Sequence, residues 1–324
     1  MDAAVLHALG EIPRFGRFEE PIAGSGEALV HVRAAAIKPL DRAIARGTHY
    51  ARPRALPVVC GMDGAGRLED GTRVYFMAMH APFGAMAQRS VASWHVPVPD
   101  GVDDVTAAAL VNPGIAAWLP LSWRAGLVPG ESVLIMGATG NAGRLTVPIA
   151  RLLGASRVVA AGRRLDVLAA LGADAVIDLN QPAADLTRAF AEAAGPQGFD
   201  VIVDYLWGPP TEALIGALGG AGLATAAKGA ERGIRLVSVG EMAGAKIALP
   251  SAVFRSSHLR ILGSGTGNFP PLPQMKAIIG QLFAFAASGL LEVTTESVDL
   301  ADIADAWERA GVSDRRLVVM PASS

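Results

Sequence analysis

A glycine-rich turn in the middle of the chain constrains its fold more than any other stretch. Residues 132–136 are mostly apolar and end at the sequence Gly-Ala-Thr-Gly-Asn-Ala-Gly, residues 137–143. An apolar run with β-branched residues that stops at glycines predicts a buried strand and a tight turn. Apolar residues at helical spacing follow as far as Gly154, and residues 157–161 are a second apolar run. Strand, turn, helix and strand within about 30 residues predict one βαβ unit.

The glycine turn has the chemistry of a phosphate-binding loop. Glycines let the backbone turn sharply and approach a pyrophosphate, whose charge is stabilised by free amides and by the helix dipole. The alternative is a loop that only packs tightly, and the surrounding strands and helix argue against it. We therefore predict a dinucleotide site formed by Ala138, Thr139, Gly140, Asn141, Ala142 and Gly143.

The end of the second strand indicates which dinucleotide binds. NAD enzymes usually place Asp or Glu about 20 residues after the glycines, where it accepts from the ribose 2′-hydroxyl. This chain has Gly162, Arg163 and Arg164 there. Two guanidiniums would form charge-assisted hydrogen bonds with a 2′-phosphate, so the sequence predicts NADP (NADPH) as the cofactor. A solvated arginine pair is the alternative, weakened because cations are unfavourable at the start of a helix.

Length and composition exclude several classes of protein. A chain of 324 residues, 51% of them hydrophobic, is long enough to form two domains. A net charge of −2 gives no field that would attract nucleic acid or an anionic membrane. We find no apolar run as long as a membrane span and no signal peptide, and therefore expect a cytoplasmic protein. The single cysteine, Cys60, excludes intrachain disulfides and fits a reducing compartment.

The pattern of predicted elements divides this α/β chain in two. Residues 1–112 contain short β-rich runs separated by turns, which predicts a small, irregular β-rich domain. The middle of the chain alternates strands and helices, as in a doubly wound parallel sheet that binds ligand at the carboxyl ends of its strands. We assign residues 113–254 to this Rossmann cofactor domain.

Several short motifs occur in a fixed order along the chain. They are Ala36-Ile37-Lys38-Pro39-Leu40-Asp41, Arg46-Gly47-Thr48-His49-Tyr50, Gly61-Met62-Asp63-Gly64-Ala65-Gly66, Gly71-Thr72-Arg73-Val74, the glycine turn, Leu171-Gly172-Ala173-Asp174 and Arg315-Arg316-Leu317-Val318-Val319. Their order and spacing resemble the medium-chain dehydrogenase/reductases, specifically the zinc-independent quinone oxidoreductase branch. The resemblance covers nearly the whole chain. It implies a GroES-like catalytic domain formed by residues 1–112 and 255–324. It also implies a homodimer joined through a Rossmann edge strand, either 234–239 or 259–263.

The resemblance allows a direct test for zinc. The family's metal-dependent branch has a cysteine near the position of Lys38 and a His-Glu pair after the glycine at Gly61. This chain has Lys38 and Met62-Asp63 there, and an ammonium and a thioether do not replace thiolate and imidazole as zinc ligands. Cys60 alone cannot build a tetrahedral site, and the six histidines lack ligand spacing. We therefore predict that the protein has no catalytic metal.

Without a metal, a substrate that accepts hydride from a nicotinamide needs a protein group that donates a proton or a hydrogen bond. By resemblance, Tyr50 lies where enoyl-thioester reductases carry a proton-donating tyrosine; the alternative is a tyrosine packed under the loop. Lys38 stands where the branch usually has Asn, and its ammonium would stabilise an oxyanion. Alternatively, Lys38 pairs with Asp41 at the surface. Tyr50, Lys38 and Asp41 are the candidate catalytic residues.

The resemblance places further residues at the cofactor. Asn112 lies in a Val-Asn-Pro segment like that of the enoyl-thioester reductases at their cofactor cleft. Ile115 stands where those enzymes commonly have threonine, which weakens the thioester interpretation. Four residues would present backbone to the nicotinamide: Val239, Gly240, Ser264 and Gly265.

These observations predict an NADPH-dependent, zinc-independent oxidoreductase of a small molecule, with no nucleic-acid or membrane partner. Its reaction would be reduction of a quinone or of the C=C bond of an α,β-unsaturated carbonyl. An enoyl-thioester (acyl-CoA or acyl carrier protein) reductase is the alternative among enzymes. A non-catalytic NADPH-binding or redox-sensing module is the alternative outside them. A short-chain dehydrogenase is disfavoured because none of the three tyrosines has a lysine four residues later.

Overall fold

Two units make up the computed structural model, which describes residues 1–219 and 232–321. The first unit contains Met1–Asn112 and Lys276–Ser324, and the second contains Pro113–Met275. The sequence division ended the Rossmann domain at residue 254, and the structure moves this boundary to 275. The reason is a strand at Leu259–Gly263 that completes the parallel sheet of the second unit.

In the described chain, strands mostly follow one another directly up to residue 97, and strands and helices alternate from residue 132 onward. The strands are β1 (Asp2–Leu6), β2 (Arg14–Arg17), β3 (Ala28–Ala36), β4 (Val58–Val59), β5 (Asp63–Leu68), β6 (Arg73–Met77), β7 (Arg89–Ala92), β8 (Trp94–Pro97), β9 (Ser132–Met136), β10 (Arg157–Gly162), β11 (Ala175–Asp178), β12 (Val201–Asp204), β13 (Ile234–Ser238), β14 (Leu259–Gly263), β15 (Thr295–Asp299) and β16 (Arg316–Met320). The α-helices are α1 (Pro39–Arg46), α2 (Asp104–Leu119), α3 (Asn141–Leu152), α4 (Leu165–Ala170), α5 (Ala183–Ala194), α6 (Gly208–Gly219), α7 (Ser251–Ser256), α8 (Leu272–Ala287) and α9 (Ile303–Arg309).

The first unit is built from two mostly antiparallel sheets. One has the order β2-β1-β4, and the other has the order β15-β16-β3-β5-β6-β8, with β7 also paired to β3. Strand β3 alternates buried and outward residues along part of its length, so one face packs on a core that includes Val30, Val32 and Phe76. Helix α9 closes this core with Ile303 and Trp307. The predicted β-rich domain is therefore confirmed, although β1, β2 and β5 were not foreseen.

The second unit is a doubly wound parallel sheet. Its strands follow the order β11-β10-β9-β12-β13-β14, and each neighbouring pair is parallel. This is the Rossmann arrangement, in which the strand order reverses between the first strand, here β9, and the fourth, here β12. Strand β9 is buried along its whole length because helices cover both faces of such a sheet. The predicted Rossmann fold is confirmed, and ligand is expected beside the carboxyl ends of β9 and β12.

Helix α2 and a π-helical segment after it form one long apolar stretch. Together they cover Asp104–Ala125, which by length and composition alone could cross a membrane. The sequence analysis found no run of this length, and the structure corrects that point. Two-thirds of the most apolar window, 67%, is buried inside the protein, as in a core helix.

The turn between β9 and α3 has two kinds of glycine. A Cβ atom placed on Gly143 would lie 2.3 Å from the carbonyl oxygen of Gly137, so helix and strand approach as closely as they do only because position 143 lacks a side chain. Gly137 has a positive φ of 86°, which also favours glycine. A Cβ atom on Gly140 would meet only that same oxygen, at 3.5 Å. Crowding therefore requires glycine at position 143, whereas position 140 has room for a side chain.

We expect Gly143→Ala to lower the free energy of unfolding by about 1–3 kcal/mol, because the added methyl group overlaps the backbone. Gly140→Ser is the matched control and should leave stability unchanged, since Gly140 has an extended backbone and serine is a good helix N-cap. Urea unfolding followed by circular dichroism measures both variants. Equal unfolding midpoints for the two would show that the turn is not tightly packed.

Two of the three tyrosines have buried hydroxyl groups. Tyr75 is 1% exposed, and its hydroxyl donates a hydrogen bond to Asp63 at 2.6 Å. The Tyr205 hydroxyl donates to the Ala116 carbonyl at 2.9 Å and lies 2.6 Å from the Thr146 hydroxyl. Burial raises the pKa of both phenols well above the ordinary value for tyrosine.

The protein should lose stability above about pH 10, where tyrosines of the unfolded chain ionise. A folded-state pKa above the unfolded value means that the stabilisation is complete below that pH and is lost as pH rises. The expected loss is about 1.4 kcal/mol per buried tyrosine for each further pH unit. In a Tyr50→Phe background, tyrosinate absorbance should appear together with the loss of circular dichroism. Tyrosinate that formed while the fold persisted would contradict the burial of both groups.

Candidate active site

Helix α3 begins at the glycine turn without a side-chain cap. Gly140 is the N-cap residue and has no side chain that could accept from the first helical amides. The first amides of an α-helix have no partner within the helix. Those of Asn141, Ala142 and Gly143 therefore face the space in front of α3, at the point where the strand order of the sheet reverses. The amide of Ala138 is engaged elsewhere, since it donates to the Ala161 carbonyl at 2.9 Å.

The shape of the turn fits a phosphate group beside Gly140. A Cβ atom on Gly162, at the end of β10, would lie 2.6 Å from the Thr139 side chain, so this glycine brings β10 against the turn. The space beside Gly140 is open by comparison, with its nearest neighbour at 3.5 Å. Two crowded glycines, at 143 and 162, thus hold the loop, while the open one allows an anion to reach the backbone.

Arginine side chains meet on one side of this turn. Arg164 donates to the Thr139 carbonyl, and so does Nε of Arg144, at 3.1 Å. Burial lowers the pKa of the Arg164 guanidinium, and the neighbouring charge of Arg144 lowers it further. Arg163, the other arginine predicted to bind the cofactor, is exposed. The sequence analysis missed Arg144, although its position directly after the last glycine of the turn was visible.

The residues predicted to face the nicotinamide lie at the carboxyl ends of β13 and β14. The amides of Val239 and Gly240 donate to the Asp204 carbonyl at 2.8 and 3.3 Å. Ser264 donates through its amide to the Ser238 carbonyl at 2.9 Å, and the Gly265 amide donates to the Asn268 side chain at 2.8 Å. The predicted residues therefore lie at the edge of the sheet where ligand is expected: Val239, Gly240, Ser264 and Gly265. Their amides, however, already have hydrogen-bond partners within the unit. Asn112 is half-buried in α2.

A buried ionic cluster lies in the β-rich unit. Lys38 is 1% exposed, and its ammonium pairs with Asp63, with Asp41 at 3.1 Å and with the Ala36 carbonyl at 3.0 Å. Asp41 also accepts from the Met62 amide at 3.0 Å. Burial alone would lower the pKa of Lys38, but the two carboxylates raise it above its usual value, so the ammonium stays charged. The expected pairing of Lys38 with Asp41 at the surface is wrong in its location, because both groups are buried.

These donors do not suit zinc. By the resemblance, the metal-dependent branch has its ligands at the positions of Lys38 and Met62-Asp63, and here an ammonium lies between two carboxylates. Zinc prefers thiolate and imidazole ligands in a tetrahedral set. Within residues 1–219 and 232–321, no group of three or more His, Cys, Asp or Glu side chains could hold a metal ion.

An apolar pocket of about 240 Å³ lies within the β-rich unit. Asp41 is the one charged residue in its wall, and its apolar lining includes Ile44, Val58, Met62, Met79, Pro82 and Phe83. Cys60 also lines the pocket, and burial raises the pKa of its thiol, which therefore remains protonated. A pocket of this composition suits a small, largely apolar molecule.

Tyr50 lies on the segment that follows α1, next to Ala51 of the pocket wall. The residue is 71% exposed, which rules out the alternative of a tyrosine packed under the loop. Its ring stacks on His49 with 4.0 Å between the ring centroids. His49 Nδ1 in turn accepts from the Ala51 amide at 3.1 Å. The Tyr50 ring thus lies against His49, and the residue that follows it lines the pocket.

Comparisons with known proteins agree with this fold. The family model described as zinc-binding dehydrogenase matches residues 171–314, a segment that does not include Lys38 or Asp63. The probable NADPH-dependent quinone reductase tdiC of Emericella nidulans is 28% identical over 233 residues, covering 68% of this chain and 62% of the relative. The chain thus spans about three-fifths of the length of the curated relatives that it matches.

Two solved structures superpose over nearly the whole chain. A mycobacterial quinone oxidoreductase has a TM-score of 0.82 at 22% identity, covering 99% of this chain and 100% of its own. The quinone oxidoreductase of Thermus thermophilus, also solved in complex with NADPH, has a TM-score of 0.75 at 26% identity, with coverages of 99% and 100%. The motifs, the fold and these similarities agree, and the chain belongs to the medium-chain dehydrogenase/reductase superfamily, in its quinone oxidoreductase-like branch.

Proposed function

We propose that this protein is an NADPH-dependent, zinc-independent oxidoreductase that reduces a small apolar acceptor, either a quinone or the C=C bond of an α,β-unsaturated carbonyl. The observation that carries the proposal is the uncapped start of α3 at the switch point of a Rossmann sheet, with guanidiniums beside it. Such a site recognises a dinucleotide that carries an additional phosphate. The names of the related quinone reductases support the choice of acceptor.

The cofactor's phosphates determine which residues would hold it. The amides of Asn141, Ala142 and Gly143 would bind the pyrophosphate beside Gly140, and guanidiniums at the turn would bind the 2′-phosphate. When bound, NADPH supplies the hydride. Thr139 contributes its carbonyl, which orients the arginines that lie against the turn.

The acceptor site is assigned to the apolar pocket beside Tyr50. The exposed phenol can donate a hydrogen bond to an oxygen that gains negative charge as hydride arrives. Lys38 is less suited to that role, because its ammonium is buried and already donates to Asp41, Asp63 and Ala36. We assign Lys38 and Asp41 to holding the start of α1 against the Met62-Asp63 segment.

The alternatives have less support from the structure. A pocket of about 240 Å³ is small for a long acyl chain, which speaks against an enoyl-thioester reductase. A non-catalytic NADPH-binding module would explain the turn but leaves the pocket and the exposed Tyr50 unused. For assembly we propose a homodimer through β14, one of the two edge strands of the described parallel sheet; β13, the other strand considered, lies inside the sheet.

The purified protein should oxidise NADPH with a soluble benzoquinone or with a simple cyclic enone, and much more slowly with crotonyl-CoA. Loss of NADPH absorbance measures all three reactions. A metal chelator should not change the rate, since the residues around Lys38 do not suit zinc. A rate that is highest with crotonyl-CoA would support the thioester alternative. Binding of NADPH without oxidation by any acceptor would support the non-catalytic module instead.

Gly140→Asp should abolish NADPH binding while leaving the fold intact. The new carboxylate is a favourable N-cap for α3, and it places negative charge where the pyrophosphate would lie. Quenching of tryptophan fluorescence by NADPH measures binding, and thermal unfolding measures stability. Gly140→Ser is the uncharged control and should lose less affinity than the aspartate. Unchanged affinity in Gly140→Asp would show that the phosphates bind elsewhere.

A further inference from the structure

We infer that Arg144, together with Arg164, is the guanidinium pair that selects the 2′-phosphate of NADPH, and that Arg163 contributes much less. The inference rests on the proposed cofactor and changes the pair of residues that the sequence alone indicated. Arg163 and Arg164 are adjacent in the chain, whereas Arg144 and Arg164 are brought together by the fold.

The Thr139 carbonyl is the common acceptor that brings these two side chains together. Arg144 donates to it through Nε at 3.1 Å, and Arg164 donates to it through a terminal nitrogen. Because Nε of Arg144 is engaged, the remaining N–H groups of this side chain are those at the end of its fork. That end can make two parallel hydrogen bonds to phosphate oxygens.

The local charge balance also points to an anionic ligand. The positive charge of Arg144 lowers the pKa of Arg164 more than the positive charge of Arg163 does. The negative charge of Asp166 acts in the opposite direction. Two guanidiniums held at one carbonyl repel each other, and they stand beside the positive end of α3. A phosphate dianion between the two side chains would turn this repulsion into attraction.

Arg163 is placed differently. Its side chain is exposed, and its carbonyl accepts from the Asn180 side chain at 2.8 Å, which ties the backbone at this position to the segment after β11. A solvated cation in this position adds to the overall field but forms no part of the pair at Thr139. Its removal should therefore have the small effect of a surface charge.

Calorimetric titration with adenosine 2′,5′-diphosphate and with adenosine 5′-monophosphate separates the 2′-phosphate from the rest of the nucleotide. We expect wild-type protein to prefer the diphosphate. In Arg144→Gln, affinity for the diphosphate should fall by about 10–100-fold, the loss typical of a charged hydrogen-bonded contact, with little change for the monophosphate. Arg164→Gln should behave alike, and Arg163→Gln should lose less than about threefold for either nucleotide.

Two further variants complete the test. Arg188→Gln, on the exposed side of α5, removes the same charge at a distance and controls for net charge. Arg144→Lys keeps the charge but loses the fork, and should recover part of the preference for the diphosphate. It also keeps the test valid if Arg144→Gln proves unstable.

The outcomes distinguish this inference from the proposed function. Equal losses for both nucleotides in Arg144→Gln would show a structural role and overturn the inference alone. Loss of the preference for the diphosphate in Arg163→Gln, but not in Arg144→Gln, would also overturn the inference alone. A wild-type protein that binds both nucleotides equally would overturn the NADPH assignment itself.

Discussion

The close approach of helix α3 to the end of strand β9 is the contact on which the proposed cofactor site depends. Gly143 lies so near Gly137 that no side chain fits between helix and strand. This contact sets the uncapped amides of α3 at the point where the strand order reverses, between β9 and β12. The strand order of the sheet determines where a ligand-binding crevice lies. The glycines of the turn, which have no side chains, determine how near an anion can come to the backbone.

Charged side chains have different surroundings in the two units. In the β-rich unit, the ammonium of Lys38 is matched by the carboxylates of Asp41 and Asp63, so the charges of this buried cluster have partners within it. At the glycine turn, Arg144 and Arg164 both donate to one neutral carbonyl, that of Thr139, beside a helix N-terminus. The lysine cluster ties its own chain segments together, whereas two guanidiniums gathered beside a helix N-terminus suit a ligand of negative charge.

The sequence could predict the features that depend on short-range spacing. The strand, glycine turn and helix around residues 132–152 follow from local pattern, as does the alternation that defines the parallel sheet. Pairings across the chain could not be predicted in this way. Lys38 and Asp63 are 25 residues apart in the chain, and Tyr75 bonds to the same carboxylate from another strand. The sequence around Lys38 shows neither contact, so it was equally consistent with an ion pair at the surface. Arg144 and Arg164 meet only because Gly162 lets β10 pack against the turn. The end of the second unit lies at residue 275 and not at 254 for a similar reason. Only the pairing of β13 with β14 assigns residues 255–275 to this unit.

Lys38, where the resemblance places a metal ligand of the metal-dependent branch, limits which groups can stabilise a negatively charged substrate oxygen. An ammonium supplies positive charge, but its three N–H groups are used by Asp41, Asp63 and the Ala36 carbonyl, and it has no open coordination site as a catalytic zinc has. It therefore cannot bind a substrate oxygen without breaking a buried ion pair, which typically costs about 3–5 kcal/mol. A reaction in which negative charge develops on oxygen must use another donor. We propose Tyr50 for this role, because its phenol is accessible and the next residue in the chain, Ala51, lines the apolar pocket.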